Sequence, residues 1–193
     1  MGVLKIVVTG AFNSGKSTFI KTLSEVVPIE TEAKITTYGR RLKPTTTVAL
    51  DYGRIRVADD LVVHLFGTPG QRRFSFMWRV LARGMHGYIL LVDSADPSSV
   101  DEARYVYAFF RRNWNLPHIV GANKQDLPSA LPPEHVRALL SVPPDTPVVP
   151  LVATDPHSVK SALLTLVDHM IEWYAKKSEQ SRHDAVLSSQ RLL

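Results

Sequence analysis

Short apolar, β-branched runs alternate along the chain with segments whose apolar residues recur at helical spacing. Val3 to Thr9 (VLKIVVT), Tyr88 to Val92 (YILLV), His118 to Gly121 (HIVG) and Val148 to Val152 (VVPLV) read as buried strands. Ser17 to Val27 puts Phe19, Ile20, Leu23, Val26 and Val27 on one helical face. Phe74 to Arg83 reads as an irregular helix, and Pro97-Ser98 opens another through Arg112. Pro132-Pro133-Glu134 starts a short helix that Pro143-Pro144-Asp145 closes off. Ser158 to Lys176 forms the last helix, with Leu163, Leu164, Val167, Met170, Ile171 and Tyr174 expected inward. Val48 to Val57 and Leu61 to Phe66 flank a turn at Asp59-Asp60 and predict a hairpin. Strands alternating with helices predict an α/β fold, a mostly parallel sheet covered on both faces, with the hairpin adding one antiparallel edge strand.

Two stretches lack a clear period. Residues 29–47 hold Lys34, Arg40, Arg41, Lys43 and Pro44 and read as a long surface loop, a length usually tied to function. Residues 177–193 read as a mobile tail or a docking helix through Val186 and Leu187. The expected organisation is therefore one domain over residues 1–176, followed by the tail.

Candidate chemistry begins at Gly10 to Thr18, GAFNSGKST, the G-x-x-x-x-G-K-[ST] phosphate-binding pattern set between a strand and a helix. Such a loop points consecutive backbone N–H groups at an anion, and Gly10 and Gly15 permit the turn. The helix start adds partial positive charge there. Phe12, Asn13, Ser14, Gly15, Lys16, Ser17 and Thr18 are expected around a nucleotide, with Lys16 on the β- and γ-phosphates and Ser17 on Mg²⁺.

Asn123-Lys124-Gln125-Asp126 follows a buried strand, at the end where ligands bind in such sheets. The Asp126 carboxylate can accept from guanine N1–H and the 2-amino group, a donor pair adenine lacks. Leaving that carboxylate unpaired makes purine selectivity steep, on the order of 10⁴-fold. Lys124 can lie along the base, Asn123 can tie this loop to the phosphate loop, and Leu127 is the next residue expected near the base.

Composition narrows the setting. The 193 residues contain no cysteine, which removes disulfides, thiolate metal sites and prenylation or palmitoylation, and fits a cytoplasmic protein. No apolar run reaches membrane-spanning length. The net charge of +5 allows weak contact with acidic surfaces such as a membrane, and nothing resembles a nucleic-acid module.

On these motifs the chain resembles the Ras-superfamily small GTPases over nearly all of residues 3–176. VDSAD at Val92–Asp96 and ANKQDLP at Ala122–Pro128 are most similar to the Arf branch. KITTYGRRLKPTTTVALDYGRI together with LFGTPGQ resembles the bacterial MglA-related, roadblock-associated group. The resemblance implies a P-loop NTPase G domain, with six strands and five helices, that binds GTP or GDP with Mg²⁺. It matches Ala153 and Thr154 to the last base-contacting element, with the Ala153 N–H on guanine O6. It implies a threonine closing over Mg²⁺ and the γ-phosphate; Thr47 matches best and Thr46 next. Gly67-Thr68-Pro69-Gly70-Gln71 matches the second switch, with the Gly70 N–H on the γ-phosphate and Gln71 orienting the attacking water.

One departure is clear. The second switch usually begins with an aspartate that supports Mg²⁺, and Gly67 stands in its place. Ser17 and Thr47 are then the expected protein ligands, with weaker Mg²⁺ retention and faster nucleotide exchange. Phe12 can crowd the γ-phosphate, and Arg40 or Arg41 can supply a cation to the transition state. The expected function is a GTP/GDP switch with slow hydrolysis, assisted by a roadblock/LC7-type activator and read by effector proteins. Phe74, Phe76, Met77 and Trp78 either face that activator or pack in the core. The alternatives are a GTP-binding scaffold that does not turn over, and an ATPase or nucleotide kinase.

Overall fold

The computed structural model describes residues 2–27, 29–34 and 45–190, with side chains over 2–27 and 51–182. Its element order is β1 (Gly2–Gly10), α1 (Lys16–Leu23), β2 (Ile29–Lys34), β3 (Thr45–Ala58), β4 (Leu61–Gly67), α2 (Ser75–Ala82), β5 (Gly87–Asp93), α3 (Val100–Asn113), β6 (His118–Asn123), α4 (Pro133–Leu140), β7 (Val148–Leu151) and α5 (Pro156–Gln190). The strands form one sheet in the order β2-β3-β4-β1-β5-β6-β7. From β4 to β7 all neighbours are parallel, while β3 runs antiparallel to both β2 and β4.

The α/β G-domain class is as expected. The six anticipated strands are β1 and β3 to β7, and β2 adds a seventh outside β3. Part of the long loop anticipated over 29–47 is therefore strand. Ile29-Glu30-Thr31-Glu32-Ala33-Lys34 is charged on alternate positions, the composition of a solvated edge, and it gains its backbone partners from β3.

Alternation along the central strands divides the core in two. Val7, Tyr88, Leu90 and Val120 meet Trp78, Val106, Phe110 and Val136 from α2, α3 and α4 on one face. Ile6, Val8, Ile89, Leu91 and Ile119 meet Phe19 and Ile20 of α1 and Leu163, Leu166 and Met170 of α5 on the other. The expected inward set on α5 needs correction: Leu164, Ile171 and Tyr174 are exposed, while Ala162 and Leu166 are buried. The helix also continues to Gln190, past the anticipated boundary at Lys176, because no proline or glycine interrupts it there.

This topology brings the carboxyl ends of β1, β4, β5, β6 and β7 to one edge of the sheet. Gly10, Gly67, Asp93, Asn123 and Leu151 end those strands, so motifs far apart in sequence meet along that edge.

Candidate functional site

The phosphate loop leaves β1 at Gly10 with φ 146° and enters α1 through Gly15 with φ 97°. A Cβ on Gly10 would lie 2.2 Å from the Leu91 carbonyl oxygen, and one on Gly15 2.2 Å from Asn123 Nδ2. Both positions therefore need glycine for backbone conformation and for close approach. Asn13 is also left-handed, at φ 62°, as is Lys124 in the facing loop, at φ 70°. Two of the three non-glycine residues with positive φ among those described thus lie in these two loops, where backbone strain commonly marks function.

Lys16 is buried and its ammonium donates to the Ala11 carbonyl at 2.6 Å and to Ser14 Oγ at 3.3 Å. The charge is thereby held over the loop. Ser17 Oγ donates to Asp51 Oδ2 at 2.7 Å. Asp51 lies on β3, is 1 % exposed, and is directly opposite Gly67 in the β3–β4 ladder.

The second loop is built from the ends of β5 and β6. Asp93 is buried, pairs with Lys124 Nζ, and accepts the Ala95 N–H at 3.2 Å. The ammonium is fixed by that carboxylate at the sheet edge. Ser94 Oγ donates to the Asn123 carbonyl, and Gln125 Nε2 donates to Ser94 Oγ at 2.9 Å and to the Leu131 carbonyl at 2.8 Å. Asp126 is exposed. Asn123, 2 % exposed, joins the loops: Nδ2 donates to the Ser14 carbonyl, and Oδ1 accepts the Ala153 N–H, each at 2.9 Å.

These contacts close a cavity of about 240 Å³ lined by Asn13, Gly15, Thr18, Asn123, Lys124, Asp126, Leu127, Ala153 and Thr154. All nine were anticipated around a nucleotide, and the fold gathers them from three separate stretches. The Ala153 N–H is already given to Asn123 Oδ1, so a guanine O6 would have to share that donor or displace its acceptor.

The second-switch residues sit against the phosphate loop. A Cβ on Gly70 would be 2.7 Å from both N and Cα of Phe12. Thr68 donates its hydroxyl to Thr9 Oγ1 at 2.9 Å and its N–H to the Val8 carbonyl at 3.0 Å. Trp78 Nε1 donates to the Pro69 carbonyl at 2.7 Å. Gln71 is half-buried at the start of a short 3-10 turn leading into α2. Trp78 is fully buried and Phe76 is 63 % exposed, so the aromatic run of α2 divides between core and surface. Arg40 and Arg41 lie outside the described residues. Thr47 pairs with Glu32 through the β2–β3 ladder, and its side chain lies outside what is described.

Among the described residues no group of three or more His, Cys, Asp or Glu side chains is placed to hold a metal ion. The phosphate loop offers instead the Ser17 hydroxyl with the Asp51 carboxylate behind it, an oxygen-only set that suits a hard cation completing its shell with phosphates and water. The residues present therefore fit Mg²⁺. Asp51 was missed in the sequence. Its signal was a charged residue in phase with Gly53, Ile55 and Val57, which form the inward face of β3. No described helix is long and apolar enough to cross a membrane.

A family model for conserved hypothetical ATP binding proteins matches residues 29–173. The human ADP-ribosylation factor-like protein 4C is 30 % identical over 146 residues, 72 % of this chain and 69 % of that protein. The ADP-ribosylation factor-like protein 3 of Saccharomyces cerevisiae is 24 % identical over 186 residues, 92 % of this chain and 86 % of that protein. An uncharacterised protein of Methanocaldococcus jannaschii is 27 % identical over 124 residues, 64 % of this chain and 71 % of that protein. With the loops after β1 and β6 tied together at one sheet edge, and with relatives of this extent, the chain belongs to the Arf-like small GTPases and to the family of conserved hypothetical ATP binding proteins.

Proposed function

We propose that the protein binds GTP and GDP and acts as a molecular switch, with slow hydrolysis of GTP to GDP and phosphate. The observation that carries this reading is the Asn123 bridge, which sets the base-facing loop against the phosphate loop around one cavity. Asp126 selects guanine through its N1–H and 2-amino group, and Lys124 flanks the base. Backbone amides of residues 12–18 and the Lys16 ammonium hold the phosphates. Ser17 and Thr47 would hold Mg²⁺, which supplies neutralisation of charge across the β- and γ-phosphates. Gln71 orients the water, Gly70 lends its N–H to the γ-phosphate, and Arg40 or Arg41 contributes positive charge in the transition state.

Competition binding tests the purine assignment. GTP and GDP are expected to displace a fluorescent guanine nucleotide, with ATP failing at concentrations on the order of 10³-fold higher. Displacement by ATP at concentrations similar to GTP overturns the guanine reading and favours an ATPase or nucleotide kinase; the matched family's description names ATP binding.

The finer part of the proposal is kinship with the MglA-related group. It carries a roadblock/LC7-type homodimer as activator and effectors that read the GTP-bound surface, in a cytoplasmic setting with peripheral membrane contact. The exposed Phe76 and Val80 of α2 support a partner-facing second switch. A second reading, a GTP-binding scaffold without turnover, draws on the tight packing of Gly70 against Phe12. Phosphate release with and without a roadblock-type partner separates the two: release no faster than in Lys16→Ala under both conditions makes the protein a scaffold.

A further inference from the structure

We infer that Asp51 supplies the Mg²⁺-supporting carboxylate that the second switch lacks at position 67. The inference rests on the guanine-nucleotide reading above and deepens it. In the antiparallel β3–β4 pair Asp51 lies directly opposite Gly67, and facing residues of such a pair project from the same side of the sheet. A Cβ on Gly67 would come within 3.1 Å of both Cβ and Oδ2 of Asp51, and within 2.9 Å of Ile20 Cδ1. There is space for one acidic side chain across the two strands, and Asp51 fills it.

The hydrogen bond to Ser17 gives the carboxylate its function. A hydroxyl that donates its proton to Asp51 Oδ2 keeps its lone pairs for a cation. The carboxylate thereby orients the hydroxyl and adds negative charge behind it, which strengthens cation binding. Burying an ionised carboxylate costs several kcal/mol unless charge or hydrogen bonds compensate. An apolar residue would serve packing alone, as Ile55 and Val57 do further along the same face. The expected consequence of Gly67 is therefore reversed. Nucleotide release should depend strongly on Mg²⁺ despite the missing aspartate.

Release of a fluorescent GDP analogue from the full chain, followed in excess Mg²⁺ and in EDTA, tests this. Asp51→Asn keeps the side-chain shape and is expected to lose about tenfold or more of the slowing that Mg²⁺ produces, with release in EDTA near the parent's. Asp51→Gly combined with Gly67→Asp removes the Cβ that a side chain at position 67 would meet, returns a carboxylate from the facing strand and is expected to recover most of that slowing. A Mg²⁺ effect in Asp51→Asn within about twofold of the parent's overturns the inference. So does a loss that the double variant fails to recover, which makes Asp51 a packing residue. A parent chain that binds no guanine nucleotide removes the proposed function and this inference together, whereas a parent that binds with Mg²⁺-slowed release leaves the first standing whatever the Asp51 variants do.

Discussion

Asn123 Nδ2 donates to the Ser14 carbonyl at 2.9 Å, so the loop after β6 is fastened to the loop after β1 by one buried amide. The same side chain accepts the Ala153 N–H, which brings in the segment after β7. Three loops, the first 109 residues before Asn123 and the last 30 residues after it, thus depend on one group. Asn123→Ala is expected to leave a carbonyl and an amide without this partner, at about 1–3 kcal/mol each, and to weaken nucleotide binding along with stability. Urea unfolding and nucleotide titration on the same variant check this; an unchanged unfolding midpoint would contradict the bridging role.

Asp126 is exposed at the wall of the cavity, and base selection is the role proposed for it. Asp126→Asn exchanges an acceptor pair for a donor and an acceptor. The variant is expected to lose on the order of 10²-fold or more in GDP affinity and to gain affinity for xanthosine diphosphate, whose 2-oxo group can accept from the new amide. Isothermal titration with GDP, XDP and ADP decides it. A variant that keeps the parent's order of preference removes Asp126 from the site.

Trp78 anchors the second-switch segment from below. Its ring is fully buried among Phe109, Phe110 and Tyr105, and its N–H holds the Pro69 carbonyl. Trp78→Phe keeps most of the packing and removes the hydrogen bond, with an expected loss of about 1–3 kcal/mol as a buried carbonyl is left unpaired. Trp78→Ala should cost about 3–5 kcal/mol. The Phe variant is also expected to increase amide exchange at residues 69–71, measured by hydrogen–deuterium exchange; protection equal to the parent's there would show that the bond does not hold the switch.

His118 gives a pH dependence. Its ring stacks on Tyr88 at 4.4 Å and 3°, it can donate from Nδ1 to the Leu116 carbonyl, and Nε2 can accept from the Tyr107 hydroxyl. Burial pulls its pKa from 6.5 down to about 4, against a smaller opposing push from the Leu116 carbonyl. The unfolded chain therefore takes up a proton that the folded chain refuses throughout that window. The contribution is fully present above the unfolded value of 6.5 and is lost as pH falls toward 4. Over this range the unfolding free energy of the parent should fall more steeply than that of His118→Gln, by up to about 1.4 kcal/mol per pH unit. Parallel curves would place the titration elsewhere.

The site was largely legible because its chemistry lies in contiguous motifs. GAFNSGKST and NKQD each carry their own turn and strand context, so their meeting at a sheet edge follows from βαβ topology. What was missed depends on relations between strands. Ile29 to Lys34 has too little apolar content to announce a strand and becomes one by pairing with β3. On α5, apolar periodicity alone could not show that Leu164 and Ile171 stay in solvent, because the width of the covered stripe is set by the sheet beneath. Asp51 looked like one more hairpin residue. Its partner is 34 positions away at Ser17, and the ladder register that places it against Gly67 is absent from any local window.

The alignment of Asp51 with Gly67 has a wider consequence for recognising such proteins. A pattern written along one segment records the absence of an acidic letter as a loss, although the molecule has moved that letter sideways by one strand spacing. Signatures defined on facing pairs across a ribbon, instead of on consecutive positions, would recover chains of this kind that linear patterns discard.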